Sequence, residues 1–239
     1  MKHIYGPLHS RRLGLSLGVN LTPFKICSFD CVYCQLGKTS EKTVERKEYV
    51  NTVEILEEVK LWLQNSPQDA KSVSYITFSG AGEPTLNINI GSLIAQIKKI
   101  TPIPIAVITN SSFLKDPALR RELLDADVIV PTLNTADQAA FEVLNRPCEG
   151  IKIEEVIQGL VDLRREYKGK IWLEIMIVKG INDDLDGAQK LAEAVERIYP
   201  NAIHLNSPVR APNESTAQSA DEKRLKKIQK ILGDRCEIV

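Results

Sequence analysis

From about residue 70 onward, short β-branched runs alternate with amphipathic stretches, and the alternation predicts strand and helix in turn. VSYITFS (73–79) reads as a buried strand, followed by a helical stretch ending near Ile100. PIAVITN (104–110) is the next strand. Asp116 and Pro117 then supply an N-cap and a favoured first helical residue for a helix to about Leu124. DVIVPTL (127–133) is strand again, with a short helix after it. Ile153, Val156, Ile157, Leu160 and Leu163 mark one face of a longer helix. KIWLEIMIVKG (170–180) predicts a strand, Leu185 to Ile198 a striped helix, and AIHLNSPV (202–209) a last strand. A polar loop leads to a final helix whose capping box pairs Ser219 with Glu222 and whose stop is Gly233. Upstream, LSLGVNL (15–21) predicts a first strand and 53–64 a first helix.

About six strand-then-helix units imply an α/β fold with a parallel sheet and right-handed crossovers. Six units fall short of the eight of a closed barrel. Periodicity leaves two forms open, a partial (β/α)6 barrel and a doubly wound sheet. Either places its chemistry at the carboxyl ends of the strands. No repeat and no long linker divides the chain. One domain is therefore expected over residues 1–239, with 211–239 forming a polar loop and C-terminal helix.

Composition narrows the function. The 239 residues carry 31 Lys and Arg against 31 Asp and Glu, so no global basic field supports RNA or DNA binding. No run is long and apolar enough for a membrane span, and the first residues lack a secretory apolar stretch. Five cysteines, three of them within eight positions, do not form a disulfide framework. Thiolate ligands in a reducing cytoplasm fit that usage better.

The clustered cysteines are Cys27, Cys31 and Cys34, directly after the presumed first strand. Their spacing lets one loop wrap three soft thiolates around a metal centre. Cys148 and Cys236 are isolated and cannot build a second cluster. Three ligands leave one iron of a [4Fe-4S] cluster open to an outside chelator, which argues for chemistry over electron transfer. Zinc with a water or histidine is the alternative, although His3, His9 and His204 show no finger-like spacing. Three reduced core cysteines are the other, although the loop is rich in Ser, Asp and Tyr.

Cys-x-x-x-Cys-x-x-Cys, with an aromatic before the last cysteine, resembles the signature of the radical S-adenosylmethionine superfamily. Ser79-Gly-Ala-Gly-Glu-Pro84 resembles that family's Gly-Gly-Glu-Pro segment, with Ala81 in place of one glycine. The wider run YGPLHSRRLGLSLGVNLTPFKICSFDCVYCQLGKT resembles the stand-alone Fe–S oxidoreductases related to the tRNA wybutosine-synthesis radical enzymes. The resemblance implies the partial (β/α)6 barrel, a [4Fe-4S] cluster on Cys27, Cys31 and Cys34, and S-adenosylmethionine chelated at the open iron. It also implies an external electron donor of the flavodoxin or ferredoxin type. Cleavage would give methionine and a 5′-deoxyadenosyl radical that abstracts hydrogen from a small-molecule or nucleoside substrate, within RNA or free.

By the same resemblance Gly80, Ala81, Gly82 and Glu83 form the loop that receives the cofactor's ammonium, and Tyr33 flanks its adenine. Asn110 and Ser111 stand where relatives carry Thr-Asn-Gly, with Ser111 in the glycine's place. Asn134 is placed to bond the ribose, or simply to cap the next helix. Glu174 and Met176 share one strand face, and a glutamate facing a barrel interior calls for a cation or polar ligand. Arg210, helped by Arg12, is a candidate anchor for an anionic substrate. The additional cluster cysteines of the wybutosine enzymes are absent. Two other functions stay open: an activase that makes a glycyl radical on a partner protein, and a non-catalytic metal-binding or electron-carrier module.

Overall fold

The computed structural model describes residues 1–239. Its sheet has eight strands in the order β1 (Ile4–Ser10), β2 (Gly14–Val19), β5 (Tyr75–Phe78), β6 (Ile105–Thr109), β7 (Val128–Pro131), β8 (Lys170–Met176), β9 (Ala202–Asn206) and β10 (Cys236–Ile238). From β2 to β10 every neighbouring pair is parallel, and β1 runs antiparallel to β2. A small pair, β3 (Ile26–Cys27) and β4 (Glu41–Lys42), stands apart. Helices connect the parallel strands: α1 (Thr52–Asn65) and α2 (Pro67–Ser72), α3 (Ile90–Ile100), α4 (Pro117–Glu122), α5 (Gln138–Asn145) and α6 (Ile153–Glu166), then α7 (Leu185–Ile198) and α8 (Glu222–Leu232).

The curvature of this sheet settles the choice that periodicity left open. Laid flat, eight strands would put their edges about 34 Å apart. Instead Arg11, in the turn between β1 and β2, donates from Nη1 to the Val239 carbonyl just beyond β10 at 2.7 Å. Tyr75 on β5 and Trp172 on β8 are three strands apart, yet their rings meet edge to face with centroids 6.1 Å apart. The sheet is therefore curled into a partial barrel, and those rings lie on its concave face. Both edges carry a strand beyond the six expected: β1, interrupted by Pro7, and the three-residue β10.

Alternation along each strand builds two separate cores. Outward residues such as Leu17, Ile76, Val107, Leu173 and Leu205 join the helices in one cluster of 49 buried residues. Inward Ala106, Val128 and Val130 pack with Leu13 from the β1–β2 turn, and Trp172 lies against them. Burying each such aliphatic side chain contributes about 1.5–3 kcal/mol. Asp116 caps α4 with Pro117 at its first turn, as the sequence predicts. The last helix starts differently. Asp221, not Ser219, accepts from Arg224 N at its N-cap, and the Ser219 hydroxyl bonds the Pro208 carbonyl. No helix is long and apolar enough to cross a membrane.

Candidate active site

The cysteine loop leaves β2 and is clamped at once by the segment after β5. Lys25, left-handed at φ +58°, donates its amide to the Ala81 carbonyl at 2.5 Å. Glu83 N donates to Ile26 O at 3.1 Å, and Ala81 N to Asn20 Oδ1 at 2.9 Å. Gly82 permits the approach, because a Cβ there would stand 1.9 Å from the Ile26 carbonyl oxygen. Gly80 is needed for another reason, its φ of +99°.

Glu83 is buried, and its carboxylate is fully engaged. Oε1 accepts from Thr85 N, Thr85 Oγ1 and Thr109 Oγ1 at 3.1, 2.6 and 2.7 Å, and Oε2 from Asn110 N at 2.7 Å. Burial raises its pKa despite these bonds. Glu83 thus orders the end of β6, and Asn110 carries that order back to the cysteines. Asn110 Nδ2 donates to Ser28 Oγ at 2.9 Å and reaches Cys27 Sγ at 3.5 Å. Ser111 occupies φ +72°, a conformation that favours glycine, and its hydroxyl is tied to the Thr132 carbonyl at 3.0 Å.

Each of the three thiols receives a side-chain N–H. Lys25 Nζ lies 3.1 Å from Cys34 Sγ, and Asn145 Nδ2 lies 3.3 Å from Cys31 Sγ, beside the Asn110 contact to Cys27. Burial pushes the Cys27 thiol up, and the Cys31 thiol up to about 11. Thiolates at these positions therefore call for a metal cation to offset their charge. No three His, Cys, Asp or Glu side chains converge on the point a single ion would require. Three thiols on one loop give a soft donor set that fits a polynuclear iron centre, in which each thiolate would take its own iron. Cys148 lies behind the loop, its amide donating to Ser28 O at 2.9 Å, and Cys236 is buried on β10.

On the other side of the loop, Tyr33 OH accepts from Asn134 Nδ2 at 2.8 Å and from Asn145 Nδ2 at 3.2 Å. Asn134 Oδ1 accepts from Met176 N at 2.8 Å, and Asn182 Nδ2 bonds both the Asn134 and Met176 carbonyls at 2.9 Å. Asn134 therefore joins the ends of β7 and β8 to the loop. It does not cap α5; Asp137 does. A cleft of about 430 Å³ opens beside it, between α5 and α7.

Most of the residues picked from sequence thus gather at the carboxyl ends of the strands, and two do not. Glu174 faces the barrel interior, where its cation is Arg12. Arg12 Nη1 is engaged by this ion pair, while its Nε has no partner in the chain. Arg210 stands exposed at the rim, donating to Gln35 Oε1 at 3.0 Å, one residue beyond Cys34. Lys25, Ser28, Asn145 and Asn182 escaped the sequence reading. Asn145 and Asn182 are brought in by tertiary contact, whereas Lys25 and Ser28 lie in the loop itself, where no spacing rule marks them.

A family model described as the radical SAM superfamily matches residues 21–192. A protein of Brachyspira hyodysenteriae named GTPase Obg is 35% identical over 99% of this chain, which spans only 34% of that protein. A Methanocaldococcus jannaschii protein, UPF0026 protein MJ1312, is 35% identical over 98% of this chain, which spans 71% of that protein. A radical SAM methyltransferase structure from Sphaerobacter thermophilus superposes with a TM-score of 0.74 at 17% identity, covering 94% of this chain and 65% of that one. With the three-thiol loop, the Gly80–Glu83 clamp and the partial barrel in place, the matched span leaves one assignment: the chain belongs to the radical S-adenosylmethionine superfamily.

Proposed function

We propose that this chain holds a [4Fe-4S] cluster on Cys27, Cys31 and Cys34, binds S-adenosylmethionine beside it, and abstracts a hydrogen atom from a small-molecule or nucleoside substrate. The observation that carries the reading is the thiol loop itself. Three thiols on one loop each meet an amide or ammonium donor, and the loop is clamped to the Gly80–Glu83 segment by backbone bonds. When bound, the cluster supplies one electron, and S-adenosylmethionine supplies, on cleavage to methionine, a 5′-carbon radical able to take hydrogen.

The chain's own residues hold and shield. N–H donors to cluster sulfurs stabilise the more negative state and raise its potential, which is the role assigned to Lys25, Asn110 and Asn145. Ala81 and Gly82 keep the clamp narrow, so backbone groups can approach a bound ammonium. Tyr33, fixed by Asn134 and Asn145, offers a ring face for an adenine. Arg210 at the rim is free to meet an anionic group of substrate or reductant.

The test is product analysis. Protein reconstituted anaerobically with iron and sulfide, then given dithionite and S-adenosylmethionine, forms 5′-deoxyadenosine. Cys31→Ala forms none, while Cys148→Ala forms it at the normal rate. Retention of zinc and no 5′-deoxyadenosine after reconstitution would overturn the proposal.

A further inference from the structure

The concave face of the barrel holds a polar group that the cluster site does not use. Glu174 on β8 and His204 on β9 are register partners, and Asn206 lies two residues further along the same face. Arg12 reaches in from the β1–β2 turn and pairs with Glu174 Oε1, which also accepts from Asn206 Nδ2 at 3.2 Å. Three buried polar atoms of this group have no partner in the chain: Arg12 Nε, Asn206 Oδ1 and His204 Nδ1. Asn206 is fully buried and His204 is 4% exposed.

An ion pair built only for stability would be satisfied by the chain, because an unpaired buried donor or acceptor costs about 1–3 kcal/mol. Here the unmet capacity has a definite pattern. The Asn206 amide is oriented by its donation to a carboxylate, so its oxygen must face the other way. That acceptor and the second Glu174 oxygen make one anionic lobe, and the free N–H of Arg12 makes a cationic one. The two charges sum to zero, so a phosphate or a lone carboxylate would meet repulsion from Glu174 as it met attraction from Arg12. A molecule carrying both signs can lie antiparallel to the pair and satisfy both lobes.

We propose that Arg12, Glu174 and Asn206 recognise the zwitterionic head of a small substrate, an α-amino acid or a molecule that carries one, with its ammonium on Glu174 and Asn206 and its carboxylate on Arg12. This rests on the reading above, that a substrate enters the barrel beside the cluster. S-adenosylmethionine also carries an amino-acid head, so the experiment separates the two sources.

Saturation-transfer NMR on the full reconstituted chain reads binding without catalysis. The probes are a mixture of L-α-amino acids, with acetate, inorganic phosphate and methylammonium as single-charge probes. Amino acids are expected to show transfer, and the single-charge probes little. Transfer to at least one amino acid should persist when S-adenosylmethionine is added in excess. Glu174→Gln, of the same shape, should weaken that binding about tenfold. The charge series on the unaltered protein decides the matter even if this variant folds poorly. Phosphate binding as well as any amino acid, no transfer from any amino acid, or loss of all transfer on adding S-adenosylmethionine would each overturn the proposal. Formation of 5′-deoxyadenosine by the same sample reports separately on the functional reading, so the two can fail independently.

Discussion

Gly82→Ala is the substitution that most cleanly breaks the join between the cofactor segment and the cysteine loop. The added Cβ would sit 1.9 Å from Ile26 O, whereas a carbon and a carbonyl oxygen normally stay about 3.3 Å apart. The two backbones must therefore separate by about 1.4 Å. The obstacle is backbone, so no rotamer change relieves it. Such a shift breaks the Glu83 N to Ile26 O bond, now 3.1 Å, and strains the Lys25 N to Ala81 O bond. Two bonds at about 0.5–1.5 kcal/mol each give an expected loss of about 1–3 kcal/mol. For a chain of this size that lowers Tm by about 2–12 °C. Iron retained after reconstitution should fall with it, since Cys27 follows Ile26 directly. Gly150→Ala is the control: it has φ +86° with open space around the Cβ, so it costs about 1 kcal/mol of backbone strain and leaves iron content unchanged. Thermal melts and iron-to-protein ratios on both variants form the assay. Gly82→Ala with unchanged Tm and full iron would refute the close contact.

Ser111 sets left-handed strain against its bond to Thr132, so Ser111→Gly should be neutral within about 1 kcal/mol, while Ser111→Val should destabilise by more than that in urea unfolding. Lys25→Met removes the cation beside Cys34 and should lower the cluster's midpoint potential by on the order of 60 mV, one decade for a single electron; a redox titration followed by paramagnetic resonance reads the shift. His204 is held below its usual 6.5 by burial first and by the Arg12 charge, against an opposing pull from Glu237. The unfolded chain then binds the extra proton, so this contribution is complete above 6.5 and is lost as pH falls below it. Unfolding free energies measured on both sides of that pH should show a smaller slope for His204→Asn than for the unaltered chain.

The parallel sheet was legible because its strands are buried on both faces and its helices carry long apolar stripes, as in α3 and α7. Asp116 with Pro117 announced α4 by local chemistry alone. The edges were not legible. β1 is half exposed and contains Pro7, and β10 is three residues long, so neither carries a periodic signal. The last helix was misread at its start because Ser219 and Glu222 match a capping box, yet Ser219 is drawn to Pro208 and Asp221 caps instead. The cysteines and Gly80 to Glu83 could be found because chemistry and backbone contact fix residue types at fixed spacing. Asn145 and Asn182 could not, since they meet the loop only once the barrel has formed, and Lys25, though in the loop, follows no spacing rule. Arg12 shows the same limit: its partner is Glu174, 162 residues away.

In the proposed function, three cysteines leave one iron of the cluster open to S-adenosylmethionine. The most direct measurement is the paramagnetic resonance spectrum of the dithionite-reduced, reconstituted protein before and after S-adenosylmethionine is added. A changed set of g values is expected on addition, because a ligand arrives at the open iron. A [4Fe-4S] spectrum that stays the same at saturating S-adenosylmethionine would contradict it and leave the chain an electron-carrying module.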